Sequence, residues 1–379
     1  MATRDRQSDP FFTLKPASGE LLNLDLMRFI ASVGIVLCHS LEFFVAPQNR
    51  PEIRLRGGGL SLFVDVFFVI SGFVIAYVYA SRMDSGWSYL RFLQRRIGRL
   101  YPLHLLTLIV ATVLFAVIAK AGIHMTHSQG LTTRCVVQAA VLIHAFAGCG
   151  SGVPNGVSWS ISAEMLMYVL FPAFLWLGKR SRWALLAGAA IALVAFALQP
   201  GAASGWGGLD MGLRAVPGFM FGVALFGFRD VLARASRAGY VALLAAGLLY
   251  LGSMLSWPAL LLVGIAYFAA AAAVAADCAG ATNRWVTKLA PLGQLTYSLY
   301  MVHGLFIVVL PNGLGDKALH LSQPALGALT LATYALILAV AFLSFKLFET
   351  PARRWIDGLG ARPGLKDQPE TRVTQTGSE

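Results

Sequence analysis

The feature that most constrains this chain is a succession of long apolar runs. The first extends from Leu24 to Val45, and further runs follow at short intervals as far as residue 348. Each is about the length a helix needs to cross a bilayer. Within hydrocarbon every backbone N–H and C=O must be paired inside the protein, so only helices and closed barrels span. A transmembrane barrel would show short strands of alternating polarity, whereas these runs are continuous. Composition agrees: 57% of the residues are hydrophobic and 13% charged, about half the charged share of a soluble domain, and the mean hydropathy is +0.67. The expected fold is all-α, a polytopic membrane helix bundle of about ten transmembrane helices.

Candidate spans fall at 24–45, 60–80, 101–119, 160–178, 183–199, 211–228, 240–255, 257–276, 290–311 and 323–348, the last long enough to tilt. One further apolar stretch, Cys135 to Ala147, is about half the length of a span. If it does not cross and the N-terminus is cytoplasmic, most of the 30 Lys and Arg residues face the cytoplasm. Only Arg50, Arg54, Arg56, Lys120, Arg134 and Lys317 then lie outside. If the stretch crossed, every later basic loop would turn outward. The positive-inside rule therefore favours ten spans with both termini cytoplasmic. The net charge of +12 is on this reading a topological signal, with membrane lipid rather than nucleic acid as the partner. Residues 1–23 read as a polar cytoplasmic tail, 24–357 as the transmembrane domain and 358–379 as a disordered cytoplasmic tail. No cleavable leader is expected, and a chain of this kind suits a bacterial cell inner membrane.

The four cysteines have no metal-ligand spacing. Cys38 and Cys278 read as small apolar residues. Cys135 and Cys149 share the outside segment 120–159, where an oxidising compartment permits a disulfide, and the sequence leaves that bridge open. His124, His127 and His144 lie in the same segment with no accompanying ligand set. They read as solvated loop residues, and no metal site is expected.

Ionisable residues inside spans are costly and stand as functional candidates. Arg28 and His39 are eleven residues apart in the first span, about three helical turns or roughly 16 Å of rise, so they share a face. Asp65 lies in the outer half of the second span and Glu164 opens the fourth from outside, so both can meet His39 at similar depth. A carboxylate beside an imidazole fixes its tautomer and supports it as a base. The plainer reading of Asp65 is a hydrogen-bonding partner that holds helices together. Asp25 is about 21 Å below His39 by helical rise and cannot orient it. Arg95, Arg96 and Arg99 stand in a basic loop before the third span. They serve either as topological anchors or as a phosphate clamp, since guanidinium forks match phosphate oxygens.

Taken in order, these residues resemble the bacterial membrane acyltransferase-3 family, which includes O-acetylases of surface polysaccharides and peptidoglycan. Leu24-Asp25-Leu26-Met27-Arg28 leads to His39 in an Arg-x10-His arrangement. Val64-Asp65-Val66-Phe67-Phe68-Val69-Ile70-Ser71-Gly72-Phe73 matches the second-span signature, and Arg96-Ile97-Gly98-Arg99 the Arg-x-x-Arg element. Ser158-Trp159-Ser160-Ile161-Ser162-Ala163-Glu164 matches a Trp-Ser-x-Ser-x-Glu segment, followed by Tyr168. Thr296 to His303 and Glu349 to Arg353 complete the series. Two departures stand out. Met165 occupies a position where the family often has a second acid, and Leu-Met-Arg-Phe replaces Gly-Leu-Arg-Gly in the first span.

The resemblance implies an integral membrane O-acyltransferase. It would take an acyl group, acetyl by default, from acyl-CoA (acetyl-CoA) on the cytoplasmic side to a hydroxyl of an extracytoplasmic or lipid-linked saccharide or other acceptor, as in polysaccharide modification by O-acetylation. Acyl-CoA is then a co-substrate, and no permanently bound cofactor is implied. Arg28, Arg95, Arg96 and Arg99 would hold the donor. His39 would act as general base or transient nucleophile, with Glu164 and Asp65 orienting it or binding the acceptor. Ser71, Tyr168, Tyr297 and His303 are lining candidates, and Arg353 stands at the inner mouth or anchors the tail. The competing class is an exporter of a glycan or lipid-linked sugar, which also needs a polar path through the bundle. The acceptor and the oligomeric state are not written in the sequence.

Overall fold

The computed structural model describes Leu14 and residues 21–83, 85–120, 132–198 and 211–359. Most of both predicted tails, and His124 and His127, lie outside them. The described residues form helices, with no strand among them. In chain order these are α1 (Leu22–Cys38), α2 (Arg50–Gly57), α3 (Phe63–Tyr79), α4 (Gly86–Lys120) and α5 (Thr133–Ala140). There follow α6 (Trp159–Arg180), α7 (Arg182–Ala197), α8 (Ala215–Gly227), α9 (Arg229–Leu232) and α10 (Ala238–Met254). The last five are α11 (Ala259–Cys278), α12 (Arg284–Leu289), α13 (Thr296–Ile307), α14 (Gln323–Ser344) and α15 (Thr350–Gly358). A π-helical stretch, Val308–Ala318, extends α13, and another, Phe345–Glu349, joins α14 to α15.

Six continuous helical segments are long and apolar enough to cross a membrane: Pro47–Tyr79, Gly86–Lys120, Gly156–Arg180, Ala259–Cys278, Arg284–Ala318 and Gln323–Gly358. Helices α7, α8 and α10 are apolar but shorter, and α1 has 17 residues. Every predicted span thus falls on a helix, and six of them coincide with a helix of full crossing length.

The stretch from Cys135 to Ala147 enters the bundle and returns. Cys135 is bonded to Cys149, and the Arg134 guanidinium donates to the Ala147 carbonyl at 3.0 Å, so both ends of the stretch lie at one end of the molecule. Its tip is held inside. Ser162 donates to the Leu142 carbonyl at 2.6 Å, and Tyr101 donates to the Ala140 carbonyl at 2.7 Å. His144, expected in solvent, is fully buried against Ser158, with its Nε2 3.2 Å from the Ser158 hydroxyl.

Two packing devices set the frame of the cavity. The first turn of α1 has no capping side chain of its own. Asp277, near the end of α11, supplies one: its carboxylate accepts from the Asn23 and Leu24 backbone N–H groups, each at 2.9 Å, and from the Asn23 side chain at 2.8 Å. A carboxylate on otherwise orphaned helix N-terminal donors is favourable both as a hydrogen-bond acceptor and against the helix dipole. It locks the helix that carries Arg28. Helix α3 packs on α8 at backbone distance. A Cβ at Gly72 would stand 2.1 Å from the Phe219 carbonyl oxygen, and one at Gly222 would stand 2.1 Å from that of Val69. Small residues permit such an approach, and close van der Waals packing is what associates helices in lipid.

Candidate active site

One face of each of four helices lines a cavity of about 370 Å³. On α3 and just beyond it, the lining positions are 64, 67, 68, 71, 74, 75, 78, 79 and 82. That spacing of three and four is one stripe of a helix. Helix α6 contributes Ser160, Ile161, Glu164 and Tyr168, and α13 contributes Thr296, Tyr297 and Tyr300. Helix α4 starts at Gly86, so the arginines expected in a loop are helical. Arg95, Arg96, Arg99 and Leu100 form its stripe on the cavity. Arg28 from α1 and Arg353 and Asp357 from α15 complete the wall.

The chemistry changes along this wall. Six arginines, Arg28, Arg82, Arg95, Arg96, Arg99 and Arg353, face the cavity, against two carboxylates, Glu164 and Asp357. Arg28 is paired with Asp25 at 3.0 Å. Arg96 donates to the Tyr79 hydroxyl at 3.0 Å. Its guanidinium lies 5.2 Å from the Tyr79 ring centroid and 6.0 Å from that of Tyr168, within the range of cation–π attraction. Farther in, Glu164 is the hub. Its Oε1 accepts from Ser71 at 2.7 Å and from Tyr168 through a short hydrogen bond. Two hydroxyl donors thus converge on one carboxylate oxygen. Tyr168 therefore couples the arginine that faces the mouth to the acid deeper in. Beyond it Ser160 donates to the Tyr300 hydroxyl at 2.8 Å.

Nine of the twelve residues singled out from the sequence line this one cavity: Arg28, Ser71, Arg95, Arg96, Arg99, Glu164, Tyr168, Tyr297 and Arg353. Tyr297 also donates to the Leu100 carbonyl, which ties α13 to α4. His39, Asp65 and His303 are not in its lining. His39 terminates α1 and is exposed, and its ring lies 5.4 Å from that of the fully buried His303. His303 in turn lies 5.5 Å from the Tyr300 ring at the cavity wall. Asp65 forms a buried ion pair: Arg214 reaches it with Nη2 at 2.6 Å and Nε at 3.2 Å, and both side chains are 5% exposed or less. Arg214, which opens α8, also donates to the Ser61 carbonyl at 2.9 Å.

The sequence reading missed Tyr79, Arg82, Ser160, Tyr300 and Asp357 as wall residues, and the Asp65–Arg214 pair. Tyr79 and Arg82 stand eight and eleven residues after Ser71, at helical repeats of it, and Ser160 stands one turn before Glu164. Following each candidate's stripe along its helix would have found them.

The fold is thus a helical membrane protein with an internal cavity that brings six arginines together with a carboxylate and its two hydroxyl donors. The chain belongs to the acyltransferase-3 family, for a family model described as an acyltransferase domain matches residues 21–344. It is similar to Acyltransferase MdmB of Streptomyces mycarofaciens, 30% identical over 189 residues, which is 48% of this chain and 47% of that one. It is also similar to a putative membrane-bound transacylase, BcsY of Komagataeibacter xylinus, 29% identical over 315 residues, covering 78% and 76% of the two chains. A third relative, Protein 2 in the picA locus of Rhizobium radiobacter, is 33% identical over 101 residues, covering 26% of this chain and 48% of that protein. The chain thus spans about half the length of the first and third relatives. No solved structure matches it.

Proposed function

We propose that this protein transfers an acyl group, acetyl as the default, from acyl-CoA to a hydroxyl of a saccharide or similar acceptor, in the inner membrane with the arginine mouth facing the cytoplasm. The observation that carries the reading is the graded cavity, six arginines at its wall and a Ser71–Glu164–Tyr168 hydrogen-bonded cluster within. The phosphates of the nucleotide match guanidinium forks. The thin pantetheine arm would run along the cavity wall past Ser71, Tyr168 and Tyr300. Its thioester end then lies near the ring layer of Tyr300, His303 and His39. His39, exposed on its other side, meets the acceptor hydroxyl there as general base or transient nucleophile. Membrane lipid is the expected surrounding partner. The acyl-CoA is a co-substrate, and the reading includes no permanently bound cofactor.

The test is CoA release by the purified protein supplied with acetyl-CoA and a hydroxyl acceptor, with donor binding measured separately. His39→Ala is expected to abolish release while donor binding survives, a loss of about 10²–10⁴-fold for a missing general base. Arg96→Ala is expected to weaken donor binding. Undiminished turnover by His39→Ala would remove the catalyst assigned here.

A further inference from the structure

His303 is fully buried in α13, one turn from the cavity wall residue Tyr300. Its Nδ1 lies 2.6 Å from the Tyr300 carbonyl oxygen. A carbonyl has no hydrogen to give, so Nδ1 carries the proton and donates it. In the neutral ring this leaves Nε2 as a bare lone pair. That nitrogen is buried and has no hydrogen-bond partner among the described residues. A buried acceptor without a donor is costly and rare, and it calls for a donor that arrives in some other state of the molecule.

The ring that contacts His303 and bears an N–H is that of His39, with centroids 5.4 Å apart and planes inclined by 39°. Two imidazoles joined by an N–H···N bond of ordinary length, about 3 Å, have centroids a little over 5 Å apart. The separation is therefore already that of a bonded pair, and only the mutual orientation differs. The pairing requires the His39 ring to turn about its side-chain torsions so that an N–H meets the buried nitrogen.

We infer that His303 is a positioning residue for His39: its fixed tautomer offers Nε2 as the acceptor that takes the His39 N–H, leaving the other His39 ring nitrogen bare toward the substrates. This fills the place that a carboxylate holds beside a catalytic imidazole elsewhere, and it rests on the role proposed above for His39. Asp65, the carboxylate expected there, is occupied by Arg214. The arrangement serves a base and a nucleophile alike, because both need one unprotonated nitrogen aimed at the reacting carbon or hydroxyl.

The experiment is site-resolved acylation of the full-length protein in detergent by diethylpyrocarbonate, with the modified histidines quantified by mass spectrometry. It reports the nucleophilicity of His39 without requiring turnover. His303→Leu is expected to slow modification of His39 about tenfold, the rate equivalent of one net hydrogen bond. The exposed His320 is the internal control and is expected to react at an unchanged rate. His303→Gln, whose amide oxygen reaches about as far as Nε2, is expected to restore much of the rate, whereas the shorter His303→Asn is not. The comparison of Gln with Asn carries the test if the leucine variant does not fold. Equal His39 reactivity in all the folded variants would overturn the inference. If His303→Leu slows His39 modification while His39→Ala retains CoA release, the pairing stands and the catalytic assignment of His39 falls.

Discussion

Replacing Asp65 and Arg214, singly and together, separates a structural ion pair from a catalytic acid. Both side chains are at most 5% exposed, and the guanidinium contacts the carboxylate through Nη2 at 2.6 Å and through Nε at 3.2 Å. Removing either partner leaves the other charged and buried. The cost of breaking a buried pair in this way is about 3–5 kcal/mol. Arg214→Met adds a further loss, since the Ser61 carbonyl forfeits its 2.9 Å donor, worth about 1 kcal/mol net. Replacing both residues removes the unpaired charge, and such double replacements are commonly near neutral. The expected result is that Asp65→Asn and Arg214→Met each lower unfolding stability by about 3 kcal/mol or more, while Asp65→Asn with Arg214→Met recovers most of that, a coupling energy of about 2–3 kcal/mol. Equilibrium unfolding by SDS in mixed micelles measures the stabilities, and CoA release by the same samples measures function. If Asp65 only holds α3 to the start of α8, the double variant keeps most of its turnover. Additive losses in stability, or a stable double variant without turnover, would refute the reasoning and return Asp65 to the chemistry.

Two other expectations concern the re-entrant segment. Burial holds the His144 imidazole down at about 4, below its ordinary value of 6.5. An unfolded chain then takes up a proton on this group below about pH 6.5 that the folded chain refuses until about pH 4. Stability is expected to fall as pH drops through that window, and His144→Gln is expected to flatten the acid limb of a thermal-unfolding series. Reduction of the Cys135–Cys149 bridge, whose cysteines are 14 residues apart, is expected to cost about 3 kcal/mol by loop closure. Reduced and oxidised samples compared by limited proteolysis check this, with cleavage between Arg134 and Ala147 expected only after reduction.

How much of this was legible in the sequence follows from the range of each force. Helices and their approximate ends were legible because apolar length is a local property. The arginine stripe on α4 was legible as spacing, but its helix begins at Gly86 rather than at Tyr101. Polar residues before an apolar run read as a loop when no soluble surface explains them, whereas here they face a polar cavity. His144 was misread as solvated for the same reason, since a short polar loop gives no local sign that it is folded into the bundle. The Asp65–Arg214 pair joins positions 149 apart in sequence. Nothing local to Asp65 distinguishes a carboxylate that orients an imidazole from one that anchors a neighbouring helix. Only the position of Arg214 decides it, and that position depends on α3 and α8 meeting at Gly72 and Gly222.

The same contact explains why the site consists of a cavity and a separate ring layer rather than one continuous pocket. Close approach of α3 and α8 fixes the stripe from Val64 to Arg82 toward α4, α6 and α13. Asp277 fixes α1 at its other end, with Arg28 in that wall. Eleven residues of helix then carry His39 beyond the cavity lining to lie beside His303, whose ring neighbours that of Tyr300 at the cavity wall. On the reading proposed above, an acyl group entering by the arginines would approach His39 past Tyr300 and His303, whose rings are neighbours. On the proposed reading such a separation would serve transfer from a soluble thioester to an acceptor on the far side, since an open path would hydrolyse the donor.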